Sequence, residues 1–411
     1  QARLPAIHAR ELLKVLERFG SVGQTLGDLE GQVFSTVMWD ETKAQKDGFI
    51  KRQVGFPKDL TATIYSGPHI GVANPLFKCS RKICKLNSDY DKIDLETITI
   101  DYLPRLNYAP NDREKYFSRI PKTPWGPKYH ELYHIISRMM LAPNSERTLI
   151  TAVTPPQSTH ICTLTGLAFK EKIALWAGTM ASIVFDYFIK TIGKTHLLFD
   201  VLSNLPMIEG PFFQKTIALR AILLNCLTKP YDALWAQTLT EFSIKPKEDG
   251  WSKVDKRLSP QRLATLTPHW SWDSPLRSDF ERRQALIEID VLTAMGLGLT
   301  LSELKTIYRV QFPVLQDYEK NTWYDQNGRI VFTNNRSLIG VGFRRKEWEE
   351  IKEASNKNSS SATFSQTLYD QTLPGDLVHR KIEYLAPFDY CDRERDYETS
   401  WIFFEEKLAK A

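Results

Sequence analysis

Apolar positions near the start of the chain recur at helical spacing. Ile7, Leu12, Leu13, Leu16 and Phe19 fall on one face over residues 5–19, and Gly20, Gly23, Gly27 and Gly31 then interrupt the run. This predicts a connecting helix followed by a loop. From Val33 to about Tyr108, short apolar runs (VFSTVMW, ATIYSG, TITIDYL) alternate with Gly, Pro and Asn, the pattern of strands and exposed loops. Residues 146–169 predict two buried strands around the Pro155-Pro156 turn. Residues 172–193 carry apolar side chains at helical spacing up to a stop at Gly193, and a further short helix lies in 193–208 before a turn at Pro206.

Beyond residue 212 the pattern turns helical, over 212–239 and 278–299. Ser278 with Glu281, and Thr300 with Glu303, have the capping-box spacing, in which side chains satisfy the open N–H groups of a helix start. Two helices joined by Gly-Leu-Gly-Leu-Thr follow, either a DNA-reading helix–turn–helix or, more commonly, a hairpin of core helices. Asn327-Gly328 between apolar runs predicts a β-hairpin over 323–332. Residues 357–366 read as a polar, mobile loop, and 389–408 as a charged turn feeding an amphipathic helix.

The expected fold class is α+β. A connector helix with loops occupies 1–60, a mixed α/β domain 61–212, a helical region 213–320, and a hairpin, loop and terminal helix 321–411. The chain has 411 residues, 42% of them hydrophobic, enough for a sizeable core. A net charge of +5 permits polyanion binding if Lys and Arg gather on one face. Five cysteines without disulfide spacing point to a reducing cytoplasm, with Cys79 and Cys84 better read as buried thiols than as ligands. Neither a membrane span nor a secretory pattern is present, so a soluble cytoplasmic protein is expected. The opening QARLPAIHARELL has no initiator Met and a helical pattern already running, the mark of a segment of a longer polypeptide.

The sharpest local motif is His130-Glu131-Leu132-Tyr133-His134. On a helix this string places two imidazoles on one face to bind zinc, with Glu as base and Glu146 or Glu171 as a third ligand, the arrangement of a zinc metallopeptidase. The competing reading is an amphipathic helix whose histidines face solvent or a polar pocket. Amino-methylating enzymes need Asn/Asp-Pro-Pro-aromatic. Asn74-Pro75-Leu76-Phe77 lacks the second proline, and Thr154-Pro155-Pro156-Gln157 lacks both polar head and aromatic tail. Val341-Gly342-Phe343 opens no βαβ unit, so no methylation is expected from this chain alone. Glu41-Thr42-Lys43 and Glu303-Leu304-Lys305 are too loose to indicate a metal-dependent nuclease. Basic residues mixed with aromatics and amides occur at 76–85, 103–108, 116–129 and 189–196, the types that grip phosphates and read base edges. Lys78, Arg81 and Lys82 belong to the first of these stretches.

Several segments together resemble a known family: YSGPHIGVANPLFK (65–78), DYLPRLNYAP (101–110), RIPKTPWG (119–126), ERTLITAVTPP (146–156), SIVFDYFIKTIGKTHLLFDVLSNLP (182–206), ERRQALIEIDVLTAMGLGLTLSELKTIYRVQFPV (281–314), TWYDQNGRIVFTN (322–334) and APFDYCDRERDYETSW (386–401). They are similar, in order, to the C-terminal target-recognition half of Eco57I-like adenine-specific DNA methyltransferases. These occur in type IIG and IIL restriction enzymes and in bacterial DISARM and BREX phage defence. The 182–206 segment also resembles the end of a recognition domain in type I specificity subunits. The resemblance implies double-stranded DNA as partner, along with an N-terminal methyltransferase domain of the same polypeptide and other defence subunits. It places S-adenosylmethionine in that catalytic domain, with no cofactor in this chain. By the same resemblance Lys190, Lys194, Thr195 and His196 are the foremost DNA contacts, followed by Arg105, Asn107 and Lys122, and the HELYH string is incidental. A module that only docks other defence subunits is the remaining alternative. The DNA reading requires Arg105, Lys122 and Lys194 to converge on one surface.

Overall fold

The longest helix, Asp279–Gly296, begins where Ser278 was expected to cap it: the Ser278 hydroxyl accepts from the Glu281 amide at 3.3 Å and donates to the Glu281 carboxylate at 3.0 Å. The computed structural model describes residues 11–21, 23–357, 362–375 and 378–410. This helix is buried on every side, including its charged Glu281, Arg282, Arg283, Glu288 and Asp290. It packs against the helices Pro211–Asn225, Ile173–Ala181, Arg393–Leu408 and Leu301–Gln311. Thr300 closes the second capping box, and Gly298, at φ +70°, makes the turn between the two helices. The pair is therefore a hairpin of core helices, and its first member has no face open to a DNA groove.

Beside this helical core lies an antiparallel four-stranded sheet, ordered Val33–Thr36, Leu164–Phe169, His134–Arg138, Thr151–Thr154. Leu167 pairs with Ile135 and Ile135 with Val153, and all three face the helices. Their neighbours Ile136, Ala152 and Leu164 face a second cluster with Tyr65 and Leu106. Alternation along a strand thus feeds two cores, one per face. Gly166 sits where a Cβ would overlap the Tyr129 hydroxyl and the His160 ring, so only glycine lets those side chains cross the sheet.

The 172–193 run is two helices rather than one. Ile173–Ala181 ends at Ser182, whose backbone is extended, and Ile183–Ile192 leaves at a 72° bend. The Ser182 hydroxyl accepts from the Phe185 amide at 3.2 Å, and the Asp290 carboxylate accepts from the Ile183 amide at 2.8 Å. Gly193, at φ +64°, ends the second helix as expected. Among the described residues no single helix is long and apolar enough to cross a membrane.

The N-terminal helix is Glu11–Gly20; residues 5–10 of the expected helix lie outside the described residues. The 323–332 hairpin forms between Trp323–Tyr324 and Ile330–Phe332, with Gly328 at φ +86°. The loop expected over 357–366 is only partly described, and from Thr363 it is a strand. Thr363–Asp370 pairs with Val378–Leu385 over its full length. Phe364 and Leu368 alternate inward with Ile382 and Tyr384, a period-2 pattern masked by the serine-rich residues before it. The terminal helix Arg393–Leu408 starts at Asp392, whose carboxylate caps the Glu394 and Arg395 amides. The main apolar cluster includes Leu12, Ile135, Leu219 and Phe404, so all four expected regions contribute to one core.

Candidate nucleic-acid interface

A cleft of about 890 Å³ opens where the sheet meets the C-terminal region, lined by parts of segments 71–77, 138–150, 313–318 and 335–338. Its walls are held by buried polar contacts. The Arg138 guanidinium donates to the carbonyls of Gly67 (2.9 Å) and Ile70 (2.6 Å), which fixes the 67–71 turn against the sheet. Arg147 pairs with the fully buried Asp186 at 2.6 Å and donates to the Ala181 carbonyl, pinning the 145–148 segment to the helices. Across the cleft, the Asn335 amide donates to the Glu146 carboxylate at 2.8 Å, and the Asn334 amide to Asp317 at 3.0 Å. Burial raises the affinity of Glu146 for its proton, while the Asn335 bond and the charge of Arg147 oppose this. Asn144, Tyr318 and Arg336 complete the polar lining, and Met140, 71% exposed, stands at the mouth.

The rims carry several of the residues singled out from the sequence. The Leu141 amide donates to the Thr195 carbonyl (3.0 Å) and the Leu197 amide to the Met139 carbonyl (2.7 Å). That pairing sets Thr195 and His196, both exposed, beside Met140. The Thr195 hydroxyl lies 3.0 Å from His196 Nδ1, and Lys194 faces Asp200 at 3.3 Å. Phe77 also lines the cleft, with the Lys78 ammonium 5.4 Å from its ring centre. Burial and the charge of Arg138 make Lys78 a weaker base than usual. From Lys78 the hairpin Lys78–Ser80/Tyr90–Lys92 leads away to Arg81, paired with Asp91 at 2.8 Å, and to the exposed Lys82.

Other candidates are struts. Arg105 is 4% exposed, donates to the Ser80 carbonyl at 2.9 Å, and lies 4.5 Å from the Phe56 ring centre. Asn107 is buried and donates to the Tyr90 hydroxyl. The Lys190 ammonium is buried against Phe312 and donates to the Gln311 carbonyl at 2.9 Å. Lys122 is exposed, but in a loop where its backbone bridges to Lys128 over the Tyr116–Tyr129 cluster. Arg105, Lys122 and Lys194 therefore do not form the common surface expected of them, because Arg105 never reaches solvent. Strand alternation gave no hint, since inward Leu106 and Tyr108 would turn Arg105 outward; Asn107 is buried as well as its two neighbours, so both faces here are covered. Arg138, Arg336, Asn144 and Tyr318 had no local signal either, since distant segments bring them together.

The HELYH string is not helical. Tyr129–Glu131 is a single 3-10 turn, and His134 opens the strand His134–Arg138. The two imidazoles share no helical face, so the premise of the metallopeptidase reading fails. So does the amphipathic-helix alternative. His134 is fully buried, donates from Nδ1 to the Leu132 carbonyl at 3.0 Å, and packs 4.3 Å from the Tyr129 ring. Burial pushes its pKa down to about 3. Glu131 accepts from the Lys128 amide at 2.9 Å, and Glu146 belongs to the cleft. Among the described residues no group of three His, Cys, Asp or Glu is placed to hold a metal ion. Cys79 and Cys84 are buried free thiols, and Cys79 accepts from the Arg105 amide.

Compared with known proteins, the chain matches no family model and no curated sequence.

Proposed function

We propose that this chain is the double-stranded DNA recognition region of an adenine-specific methyltransferase from a bacterial restriction or phage-defence system. It has no catalytic role of its own and positions a separate S-adenosylmethionine-dependent domain on the target adenine. The carrying observation is the cleft lined by Arg336, Asn144 and Asn335, with Thr195 and His196 beside its lining residue Met140 and Lys78 beside its lining residue Phe77. Its volume is that of a small-molecule or single-nucleotide site, so a duplex lies across the mouth and not inside. The rims then meet phosphates, and the amides and the Asp317 carboxylate supply acceptors and donors of the kind that read base edges.

The sequence resemblance supports the same reading, carried by Lys194, Thr195 and His196 rather than by Arg105, Asn107 or Lys190. The test is duplex binding by the 411-residue chain across a salt series. Phosphate neutralisation makes the logarithm of the binding constant fall with that of salt, by about 0.9 per phosphate contacted. A binding constant indifferent to ionic strength, or no binding at low salt, overturns the proposal.

A further inference from the structure

Arg138 carries a charge that its structural task does not need. Its Nε and Nη2 donate to the carbonyls of Gly67 and Ile70, and a carbonyl asks only for a donor. Nη1 has no partner among the described residues, keeps contact with solvent, and belongs to a side chain that lines the cleft. Arg277 shows the contrast, since all three of its guanidinium nitrogens are taken, by the carbonyls of Trp272, Leu95 and Leu227. No carboxylate acts on Arg138, and burial alone brings its pKa down to about 10.

A second cation stands near it. Lys78 is half-buried, and after burial itself the charge of Arg138 does most to weaken its hold on a proton. Its ammonium forms no ion pair among the described residues, and Asp91, the carboxylate that acts on it, is gripped by two nitrogens of Arg81. Two partly desolvated like charges without an anion beside them repel, and water screens them less than at an open surface. The fold nonetheless holds them rigidly. The Phe77 amide donates to the His69 carbonyl at 3.0 Å, and the Phe77 ring packs so closely on Gly71 that a Cβ there would come within 2.9 Å of it. Fixed cations with an open guanidinium nitrogen meet an oxyanion with little reorganisation, and phosphate offers both the charge and several acceptor oxygens.

The rest of the cleft sets the size of the ligand. About 890 Å³ is far more than a bare phosphate fills and lies in the range of small-molecule sites, roughly 300–1,000 Å³. Phe77 and Tyr318 supply aromatic surface, and the Asn144 amide and the Tyr318 hydroxyl have no hydrogen-bond partner among the described residues. A planar heterocycle with a polar edge suits those groups.

We infer that the cleft binds a single nucleotide, with its phosphate held by Arg138 and Lys78 and its base by Phe77, Tyr318 and Asn144. The site shares the cleft with the DNA reading and goes beyond it, because the nucleotide has two possible sources: a free mononucleotide, or one unpaired nucleotide of a bound strand.

The experiment is calorimetric titration of the whole chain with adenosine 5′-monophosphate, and with adenosine and inorganic phosphate separately, at one ionic strength. The expected result is saturable binding of the monophosphate, tighter than that of either part. Lys78→Met keeps the length of the side chain and removes the charge. It is expected to weaken the monophosphate at least about tenfold, to leave adenosine unchanged, and to raise the unfolding midpoint by removing one of two repelling cations. In the parent, adenosine binding as tightly as the monophosphate overturns the phosphate site, and inorganic phosphate binding as tightly overturns the place of the base. A folded Lys78→Met that binds the monophosphate as the parent does also overturns the inference. A duplex with one unpaired adenine and its fully paired counterpart then compete with the monophosphate. Displacement by the unpaired duplex alone assigns the site to a strand, and displacement by neither assigns it to the free nucleotide; both support the inference. Equal displacement by both makes the cations ordinary duplex contacts and overturns it. Salt-dependent duplex binding without monophosphate binding overturns the site and leaves DNA recognition standing, whereas monophosphate binding without duplex binding at low salt does the reverse.

Discussion

Arg393, at the start of the terminal helix, donates to the Asp290 carboxylate at 2.8 Å in the middle of the longest helix, both side chains being almost wholly buried. The same carboxylate accepts from the Tyr397 hydroxyl at 2.7 Å and from the Ile183 amide at the 72° bend. Arg393 also reaches Glu319 at 2.9 Å, and Arg283 joins Glu319 to Asp396. One buried chain of charges thus docks the terminal helix, locks the bend and holds the helix that borders the cleft.

Breaking such a pair from one side leaves an uncompensated buried charge. Arg393→Met is expected to cost about 3–5 kcal/mol. Urea unfolding measures it, and a loss below about 1 kcal/mol, the worth of an exposed pair, would show that the network contributes little.

Three buried histidines tie stability to acid. Burial pushes His134 down to about 3, and His69 and His160 to about 4, below the ordinary 6.5. Between pH 6.5 and 4 the unfolded chain binds protons that the folded chain refuses. Their stabilisation is complete above pH 6.5 and is lost as pH falls toward 4. Each contributes about 1.4 kcal/mol per pH unit in that window, or about 4 for the three together. His134→Gln is expected to remove about a third of the slope. Unfolding midpoints at pH 7 and pH 5 that do not differ between parent and variant would contradict this.

The strut and the rim are expected to respond oppositely. Arg105→Ala removes a charged donor from the Ser80 carbonyl and a cation from the Phe56 ring, at about 1.5–3 kcal/mol of stability. It leaves the salt slope of DNA binding unchanged. Arg336→Ala is expected to spare stability and reduce that slope by about 1. The two variants are compared by denaturation and by salt titration, and a reversed pattern would move the interface to the other face.

Gly166→Ala forces a methyl group into the space of the Tyr129 hydroxyl and the His160 ring, whose Nε2 lies 3.2 Å from that hydroxyl. Overpacking of this kind costs about 1–3 kcal/mol. Pairing it with Tyr129→Phe, which removes the clashing oxygen, is expected to recover part of the loss. No recovery would place the strain in the backbone instead.

The boundaries of elements were legible where one residue acts on its near neighbours: Ser278 and Thr300 as caps, Gly193 as a stop, Asn327-Gly328 as a turn. The bend at Ser182 was not, because residues 173–185 are buried all round and an apolar run without a polar face carries no phase. The HELYH string has helical spacing, but its first residues close a 3-10 turn and its last, His134, opens a strand. The pairing of Ile135 with Val153 and Leu167 outweighs a weak local preference. Basic stretches were legible as charge and not as surface.

What the sequence by itself determined is the α+β class, the helix ends and the positive charge, since caps and turns work through bonds spanning three or four residues. Only the tertiary structure decided that Arg105 and Lys190 are struts while Arg336, Asn144 and Tyr318 line one cleft. Burial of a cation depends on which remote segments close over it, and the hydrogen bonds that repay its desolvation come from carbonyls, such as those of Ser80 and Gln311, that no local pattern marks.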